Sequence, residues 1–222
     1  QSKSGHAFIK QTMREVDAVY AVVGKGTRRL AHLRIGDSVA IWGPLGNGWQ
    51  AAKRAVPPKR LALVAGGVGH APFHLLLKEL MARPESERPE TTLIYGARSL
   101  KFLSCLEDFR ALGAKVRLAT EDGSFGTKGF ATDLLPEVLP DDFPAEDAQI
   151  LACGPPPMLS VVAKWSAARN IECWTSLETP MACGLGLCYS CVVEWKRDDV
   201  TWDYKRACVD GPVFDASRLQ WD

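Results

Sequence analysis

Three cysteines spaced Cys-x4-Cys-x2-Cys constrain this chain more than any other feature of its sequence. They are Cys183, Cys188 and Cys191, and Cys208 follows after 16 intervening residues. A loop that carries four thiols at these intervals can bring them around one compact metal centre. The spacing is that of the plant-type [2Fe–2S] cluster, so the sequence predicts Cys183, Cys188, Cys191 and Cys208 as its ligands.

The residues between the cysteines favour iron and sulfide over zinc. Gly184 and Gly186 lie between the first two cysteines, and glycine readily adopts the positive φ angles with which a tight loop wraps a cluster. Zinc sites more often combine two Cys-x2-Cys pairs. If the four cysteines bound zinc instead, the chain would be a structural interaction module, which is the non-enzyme alternative.

Charge and cysteine usage exclude several classes of protein. The 222 residues carry 27 Lys and Arg against 26 Asp and Glu, a net charge of +1, so no strong field favours nucleic acid or a membrane surface. No apolar run approaches the roughly 18–20 residues of a membrane-spanning helix. Four of the seven cysteines cluster near the end of the chain, which favours a metal site in a reducing compartment over disulfides. We therefore predict a cytoplasmic protein.

The middle of the chain alternates between strand-like and helix-like segments. Strands are predicted over residues 61–65, 91–97, 115–120, 149–153 and 171–177, and helices over residues 72–83, 100–112 and 157–169. Short apolar strands that alternate with helices are typical of a doubly wound parallel sheet. The fold class expected here is therefore α/β.

Two glycine-containing turns follow strands of this predicted sheet. The first leads into a helix, whose N-terminal N–H groups favour a phosphate, and the second follows a later strand. Open α/β sheets bind nucleotides at the carboxyl ends of their strands. The predicted nucleotide-binding residues are Gly66, Gly67, Gly69, Cys153, Gly154 and Pro155. Turns that serve packing alone are the alternative.

The start of the chain has an all-β pattern. Strands are predicted over residues 16–23 and 38–42, and a short helix after residue 27. Between them, Gly24-Lys25-Gly26-Thr27 is a candidate anion-binding turn, with an ordinary hairpin or helix cap as the alternative. The expected domains are a partial β-barrel over residues 1–55, the α/β domain over 56–177 and a small cluster domain over 178–222.

The three modules in this order resemble the electron-transfer subunits of NAD-dependent dihydroorotate dehydrogenase B, within the ferredoxin reductase superfamily. The resemblance covers about residues 16–216 and is most specific in the second half. It is carried by Val23–Thr27, Gly43–Asn47, Ala65–Gly69, Ile94–Arg98, Thr120–Ser124, Gly126–Gly129, Cys153–Met158, the cysteine loop and Tyr204–Phe214.

The resemblance implies an oxidoreductase subunit that does not act on the organic substrate by itself. FAD would lie between barrel and sheet, with Gly24, Lys25, Gly26 and Thr27 along its phosphates, and NAD on the sheet loops. Electrons would pass between NAD(H), FAD and the [2Fe–2S] cluster, to or from a flavin-containing catalytic subunit that oxidises dihydroorotate in pyrimidine biosynthesis. Such a hetero-oligomer is the expected assembly. A related NAD(P)H–ferredoxin type reductase subunit that serves another dehydrogenase is the alternative.

Two details bear on the cofactors. The family's flavin-contacting Arg-Pro-x-Ser stretch is not found before Val16, which indicates either a missing upstream segment or altered flavin binding. Glu121 and Asp122 after the third sheet strand favour NAD, because a carboxylate accepts a ribose hydroxyl and repels a 2′-phosphate. Arg98 favours NADP instead. We find no pattern typical of a catalytic triad or a carboxylate pair, and no catalytic residue is predicted.

Overall fold

The computed structural model describes residues 16–198 and 201–221. The stretch before Val16, in which the Arg-Pro-x-Ser motif was expected, lies outside the described residues, as does the start of the predicted 1–55 module. The chain divides into two compact units, Gln1–Val39 and Ala40–Asp222. The larger unit contains every strand that is described below.

A seven-stranded sheet is the centre of the larger unit. Its strands are β1 (Arg60–Gly66), β2 (Glu90–Ala97), β3 (Lys115–Thr120), β4 (Thr127–Lys128), β5 (Ala148–Cys153), β6 (Glu172–Ser176) and β9 (Val213–Asp215). They lie in the order β4-β3-β2-β1-β5-β6-β9, and all neighbours are parallel except β6 and β9. A separate antiparallel hairpin consists of β7 (Val192–Lys196) and β8 (Trp202–Arg206).

Helices of the larger unit flank the sheet. The α-helices are α1 (Lys25–Ala31, in the smaller unit), α2 (Ala71–Met81), α3 (Leu106–Ala111), α4 (Leu135–Val138) and α5 (Pro156–Ala168). Short 3-10 turns occupy Trp49–Ala52, Gly67–His70, Glu85–Glu87, Leu100–Phe102, Ala131–Leu134, Ala145–Asp147 and Ala216–Arg218. Within the described part of the chain, no helix combines the length and the apolar character needed to cross a bilayer.

Both faces of the sheet are buried at its centre, which is why β1 and β5 are almost continuously apolar. Leu63 of β1 packs with Phe73 and Leu77 of α2 on one face. Val64, the next residue, packs on the other face with Val162 of α5. The side chains of successive strand residues therefore enter two separate cores. The predicted doubly wound α/β fold, followed by a small cysteine-containing region, is confirmed.

The two strands expected near the start of the chain are wrong. Residues 16–23 and 38–42 form no strand, and most of their side chains are exposed, with Val23 79% accessible. Strand propensity describes how well a side chain fits a pleated, half-buried surface. Without a hydrogen-bonded neighbour strand, the β-branched residues here have no such surface to pack on.

The helix predicted over 100–112 is interrupted. A 3-10 turn ends at Phe102, and α3 begins only after Cys105, which has a φ of +57°. The buried Tyr95 hydroxyl donates to the Phe102 carbonyl at 3.3 Å and accepts from the Ser104 N–H at 3.3 Å. This side chain therefore uses two backbone groups that a continuous helix would need.

Candidate functional site

The sheet reverses its strand order beside β1, and this creates a crevice. From β1 the chain continues to β2 on one side, whereas β5 lies on the other side. Ala65 near the end of β1 pairs with Cys153 at the end of β5, so the loops after both strands leave the sheet at one level. Such a switch point is where open α/β sheets hold nucleotides.

Glycines allow the two loops to touch. A Cβ on Gly69 would collide with the Cys153 carbonyl and would lie 2.8 Å from the Gly154 nitrogen. A Cβ on Gly66 would lie 2.6 Å from Pro155 Cδ. The structure therefore brings the predicted residues of both turns together. That they contact a nucleotide stays a prediction.

Gly67 differs from the glycines beside it. Its φ is +54°, which other residues rarely adopt, and a Cβ there would meet nothing within 4 Å. The turn continues through His70 into α2, a helix of 11 residues. An uncrowded glycine backbone that leads into a helix N-terminus has the shape and the N–H donors that a pyrophosphate requires. The residues present therefore fit a dinucleotide.

Cys153 places a neutral thiol at the crevice. Burial raises the pKa of its thiol to about 11, although a hydrogen bond with Ser176 opposes this shift. At neutral pH the sulfur is therefore protonated, and it adds no charge beside a bound nucleotide.

His70 is a buried residue that no sequence pattern identified. Its Nε2 lies 2.8 Å from Ser104 Oγ, and its ring is 5.0 Å from the Tyr95 ring and 5.6 Å from that of Phe109. Burial lowers the pKa of His70, and nearby His74 lowers it further. The neutral ring thus ties the glycine turn to the loop after β2. Its position directly after the glycines was the only available signal.

The residues that bear on nucleotide choice lie at the ends of β2 and β3. The Glu121 N–H donates to the Ala97 carbonyl at 3.1 Å, and the Asp122 N–H donates to the Arg98 carbonyl at 3.2 Å. Hydrogen bonds from Ser124 lower the pKa of the Asp122 carboxyl. Carboxylates and the Arg98 residue therefore share one edge of the sheet. Selection of NAD stays a prediction.

The Gly24-Lys25-Gly26-Thr27 turn forms the start of α1 in the smaller unit. Thr27 Oγ1 accepts hydrogen bonds from the Val23 N–H at 3.0 Å and the Gly24 N–H at 3.1 Å. The local arrangement is thus the helix cap that was left open as an alternative. Contact of these residues with FAD phosphates stays a prediction.

The β7–β8 hairpin brings two of the four predicted ligands together. Cys191 directly precedes β7, and Cys208 follows β8 by two residues. The Ala207 N–H donates to the Cys191 carbonyl at 3.0 Å, and the two sulfurs lie 3.3 Å apart. Both side chains are buried. Residues that are far apart in sequence thus supply one side of the candidate cluster site.

The other two thiols lie in the exposed loop before the hairpin. Cys183 Sγ accepts from the Leu185 N–H at 3.3 Å and from the Leu187 N–H at 3.4 Å. Hydrogen bonds from Ser190 lower the pKa of Cys188 to about 6, so its thiolate predominates at neutral pH. Thiolates that accept backbone N–H bonds are the ligands that iron–sulfur clusters use. The residues present fit a [2Fe–2S] centre.

The loop glycines have the conformations that the wrap requires. Gly184 has φ +68° and Gly186 has φ +78°.

All seven cysteines are free thiols. Among the residues that the structure describes, no three Cys, His, Asp or Glu side chains are arranged to hold a single metal ion.

Asn47 is a structural residue that the sequence interpretation did not single out. Its Nδ2 donates to the carbonyls of Asp210 at 3.0 Å and Val213 at 2.9 Å, and its Oδ1 accepts from the Val213 N–H at 2.9 Å. A Cβ on neighbouring Gly46 would collide with the Gly211 carbonyl. The segment before the sheet therefore holds the loop that follows Cys208.

Two family models match the chain. Residues 178–220 match the iron–sulfur cluster binding domain of dihydroorotate dehydrogenase B. Residues 63–164 match the oxidoreductase NAD-binding domain. The first match contains all four predicted ligand cysteines, and the second contains both glycine turns of the crevice.

Several curated relatives are similar over most of the chain. One is the electron transfer subunit of dihydroorotate dehydrogenase B (NAD(+)) from Caldanaerobacter subterraneus subsp. tengcongensis, 37% identical over 90% of this chain and 74% of its own length. The Listeria monocytogenes serotype 4b subunit of that name is 37% identical over 90% of this chain and 73% of its own. The Fusobacterium nucleatum subunit is 35% identical over 92% and 74%.

Solved structures show the same architecture. The NADH-dependent reduced ferredoxin-NADP oxidoreductase, a protein of flavin-based electron bifurcation, superposes with a TM-score of 0.72 at 29% identity, over 91% of this chain and 68% of its own. The cytochrome b5 reductase domain of Ulva prolifera nitrate reductase gives a TM-score of 0.54 at 22% identity, over 67% of this chain and 63% of that one. The second likeness concerns the fold alone.

Proposed function

Because this chain belongs to the family of electron transfer subunits of NAD-dependent dihydroorotate dehydrogenase B, we propose that it carries electrons between NAD(H) and a partner flavoprotein that oxidises dihydroorotate. FAD and a [2Fe–2S] cluster are its cofactors, and pyrimidine biosynthesis is the pathway it serves. The observation that carries this proposal is the cysteine loop, in which backbone N–H groups point at Cys183 and the hairpin pairs Cys191 with Cys208.

In this proposal the nucleotide binds at the crevice and the cluster binds at the cysteine loop. The turn through Gly67 and Gly69 would hold the pyrophosphate of NAD, and the protonated Cys153 thiol would leave the nicotinamide side of the crevice uncharged. When bound, the flavin supplies the conversion between the two-electron chemistry of the nicotinamide and the one-electron chemistry of the cluster. The chain contributes position, hydrogen bonds and exclusion of water.

Three parts of the proposal rest on sequence reasoning. The cofactor contacts of the individual residues are one, with Gly24, Lys25, Gly26 and Thr27 assigned to FAD. The division into modules 1–55, 56–177 and 178–222 is another. A cytoplasmic location is the third, and it is supported by the clustering of four of the seven cysteines near the end of the chain, which favours a metal site in a reducing compartment over disulfides.

The comparisons argue against the zinc-binding alternative and leave one observation in favour of the reductase alternative. The zinc-binding module is set aside, because residues 178–220 match an iron–sulfur binding family. The reductase alternative keeps one observation in its favour, since a structure 29% identical to this chain is a ferredoxin-NADP oxidoreductase that covers 91% of it. The identity of the electron partner separates this candidate from the main proposal.

Purification of the protein under anaerobic conditions tests the proposal. We expect equal amounts of iron and sulfide, a paramagnetic signal after one-electron reduction, and flavin in an acid extract. Cys188→Ser should lose the cluster, whereas Cys105→Ser, outside the loop, should keep it. Zinc in place of iron in the purified wild-type protein would refute the redox function.

Co-expression identifies the partner. The catalytic subunit of a dihydroorotate dehydrogenase should copurify with this chain and should reduce NAD through it when dihydroorotate is supplied. NADH should reduce the bound flavin faster than NADPH. Association with a ferredoxin and no response to dihydroorotate would favour the reductase alternative instead.

A further inference from the structure

One peptide unit of the cysteine loop has both of its polar groups engaged. The Leu187 N–H donates to Cys183 Sγ at 3.4 Å. The carbonyl of the same peptide, which belongs to Gly186, accepts a hydrogen bond from Arg206 Nη1 at 3.0 Å. A Cβ on Gly186 would lie 2.7 Å from Val209 and 3.2 Å from that same Arg206 nitrogen. The peptide thus lies between a cation and a sulfur atom, with no space for another side chain.

Several contacts fix Arg206 in this position. It is the last residue of β8, and its backbone N–H donates to Asp210 Oδ2 at 2.8 Å. Its Nε lies 3.6 Å from the same carboxylate oxygen, and its guanidinium carbon lies 5.6 Å from the ring centroid of Tyr189 in the loop. Asn47 in turn holds the Asp210 carbonyl. With 32% of its side chain exposed, the guanidinium is partly shielded from water.

We propose that Arg206 is a positioning residue that raises the reduction potential of the cluster by polarising the Gly186–Leu187 peptide. This inference rests on the proposed function, because it takes Cys183 as a cluster ligand. A hydrogen bond to a carbonyl oxygen strengthens the donor at the other end of the same amide. Hydrogen bonds to the sulfurs are among the factors that set cluster potentials, and both they and a nearby positive charge favour the more negative, reduced state.

The test compares three variants of the full chain. Arg206→Gln removes the charge, and Arg206→Lys keeps the charge but loses the planar fork of donors. Arg218→Gln is the matched control, because Arg218 pairs with Asp198 and lies 5.6 Å from the Trp195 ring instead of contacting the cysteine loop. For each protein we would measure iron and sulfide content, and the midpoint potential by titration followed through the paramagnetic signal.

We expect the potential of Arg206→Gln to fall by an amount equivalent to about tenfold in the one-electron equilibrium, which is about 59 mV. Arg206→Lys should fall between that variant and the wild type, and Arg218→Gln should match the wild type. An unchanged potential in Arg206→Gln would overturn the inference. Equal shifts in Arg206→Gln and Arg218→Gln would also overturn it, because net charge would then explain both.

If Arg206→Gln loses the cluster, its potential cannot be measured, and a second variant keeps the inference testable. In that case Arg206→Lys decides: a potential below the wild type supports the inference, and a wild-type potential makes Arg206 a residue of folding alone. Iron-free wild-type protein would instead count against the proposed function, so the two failures are distinguishable.

Discussion

The nucleotide crevice and the cysteine loop are held in place by different means. In the crevice, hydrogen-bonded parallel strands set the height of both loops, and Gly69 packs directly against Cys153. In the loop, Leu187 is 76% exposed and Tyr189 is 61% exposed, and a few hydrogen bonds from remote residues fix the backbone. The sheet therefore preorganises one site, whereas the other depends on side-chain contacts and on the metal–thiolate bonds that form when a cluster binds.

Thiol reactivity should show the largest difference between the two regions. In protein freed of iron, we expect iodoacetamide to modify Cys188 about a hundredfold faster than Cys153 at pH 7, because the thiolate is the nucleophile. Hydrogen bonds from Ser190 lower the pKa of Cys188 to about 6, and burial raises that of Cys153 to about 11. The lower nucleophilicity of an acidic thiolate offsets roughly a hundredfold of the resulting difference in ionisation. Peptide mass spectrometry over time measures both rates.

The pH dependence gives this prediction its direction. Between pH 7 and pH 9 the Cys188 rate should stay level, because its thiol is already ionised. The Cys153 rate should rise about tenfold for each pH unit, because its ionisation is far from complete. Ser190→Ala is the control and should slow Cys188 near pH 6 without affecting Cys153. Similar rates for the two cysteines at pH 7 would contradict the contrast between the sites.

Gly69→Ala tests the crevice at the point where its two loops come closest, at Gly69 and Cys153. The added Cβ would collide with the Cys153 carbonyl, so the two loops must separate. We expect the free energy of unfolding to fall by about 3 kcal/mol, and the affinity for NADH to be lost with it. Urea unfolding and nucleotide fluorescence measure the two effects.

Gly67→Ala is the matched control for Gly69→Ala. Gly67 has a positive φ but open space around it, so only backbone strain of about 1 kcal/mol is expected. Equal losses of stability in the two variants would mean that the loops do not need their close contact.

The same contrast explains how much could be predicted from the sequence. Strands β1 and β5 were predictable because each is a nearly continuous apolar run. Helices α2 and α5 were predictable because buried positions recur along one face of each, so the information is local. The assignment of the four thiols as ligands comes from their spacing and stays a prediction, which the pairing of Cys191 with Cys208 supports. Strands β4 and β9 were not predicted, because two or three residues are too few to be recognised and become strands only beside β3 and β6. The β7–β8 hairpin was not predicted either.

The side-chain contacts that position the sites were also missed. The 3-10 turn that ends at Phe102 is held by the hydroxyl of Tyr95, which lies on β2. The apolar pattern within residues 100–112 contains no sign of that contact. Asn47 and Arg206 likewise act on residues far away in the chain. A sequence pattern identifies the groups that carry the chemistry more readily than the groups that hold them.

Asn47→Ala tests the weaker of the two scaffolds, and its effect on the free energy of unfolding should be smaller than that of Gly69→Ala. The substitution removes three hydrogen bonds to Asp210 and Val213, and the expected loss of unfolding free energy is about 2 kcal/mol. Because these bonds hold the loop after Cys208, the cluster should be released faster to a chelator, as followed by visible absorbance. NADH affinity should stay unchanged, because the crevice is fixed by the sheet.

Asn47→Asp separates the donor from the acceptor at this position. The carboxylate can still accept from the Val213 N–H, but it would face the Asp210 and Val213 carbonyls without a proton to donate. Cluster release should therefore be at least as fast as in Asn47→Ala at neutral pH. If both variants weakened NADH binding as strongly as they accelerated cluster release, the two sites would share one scaffold, and the division between them would be wrong.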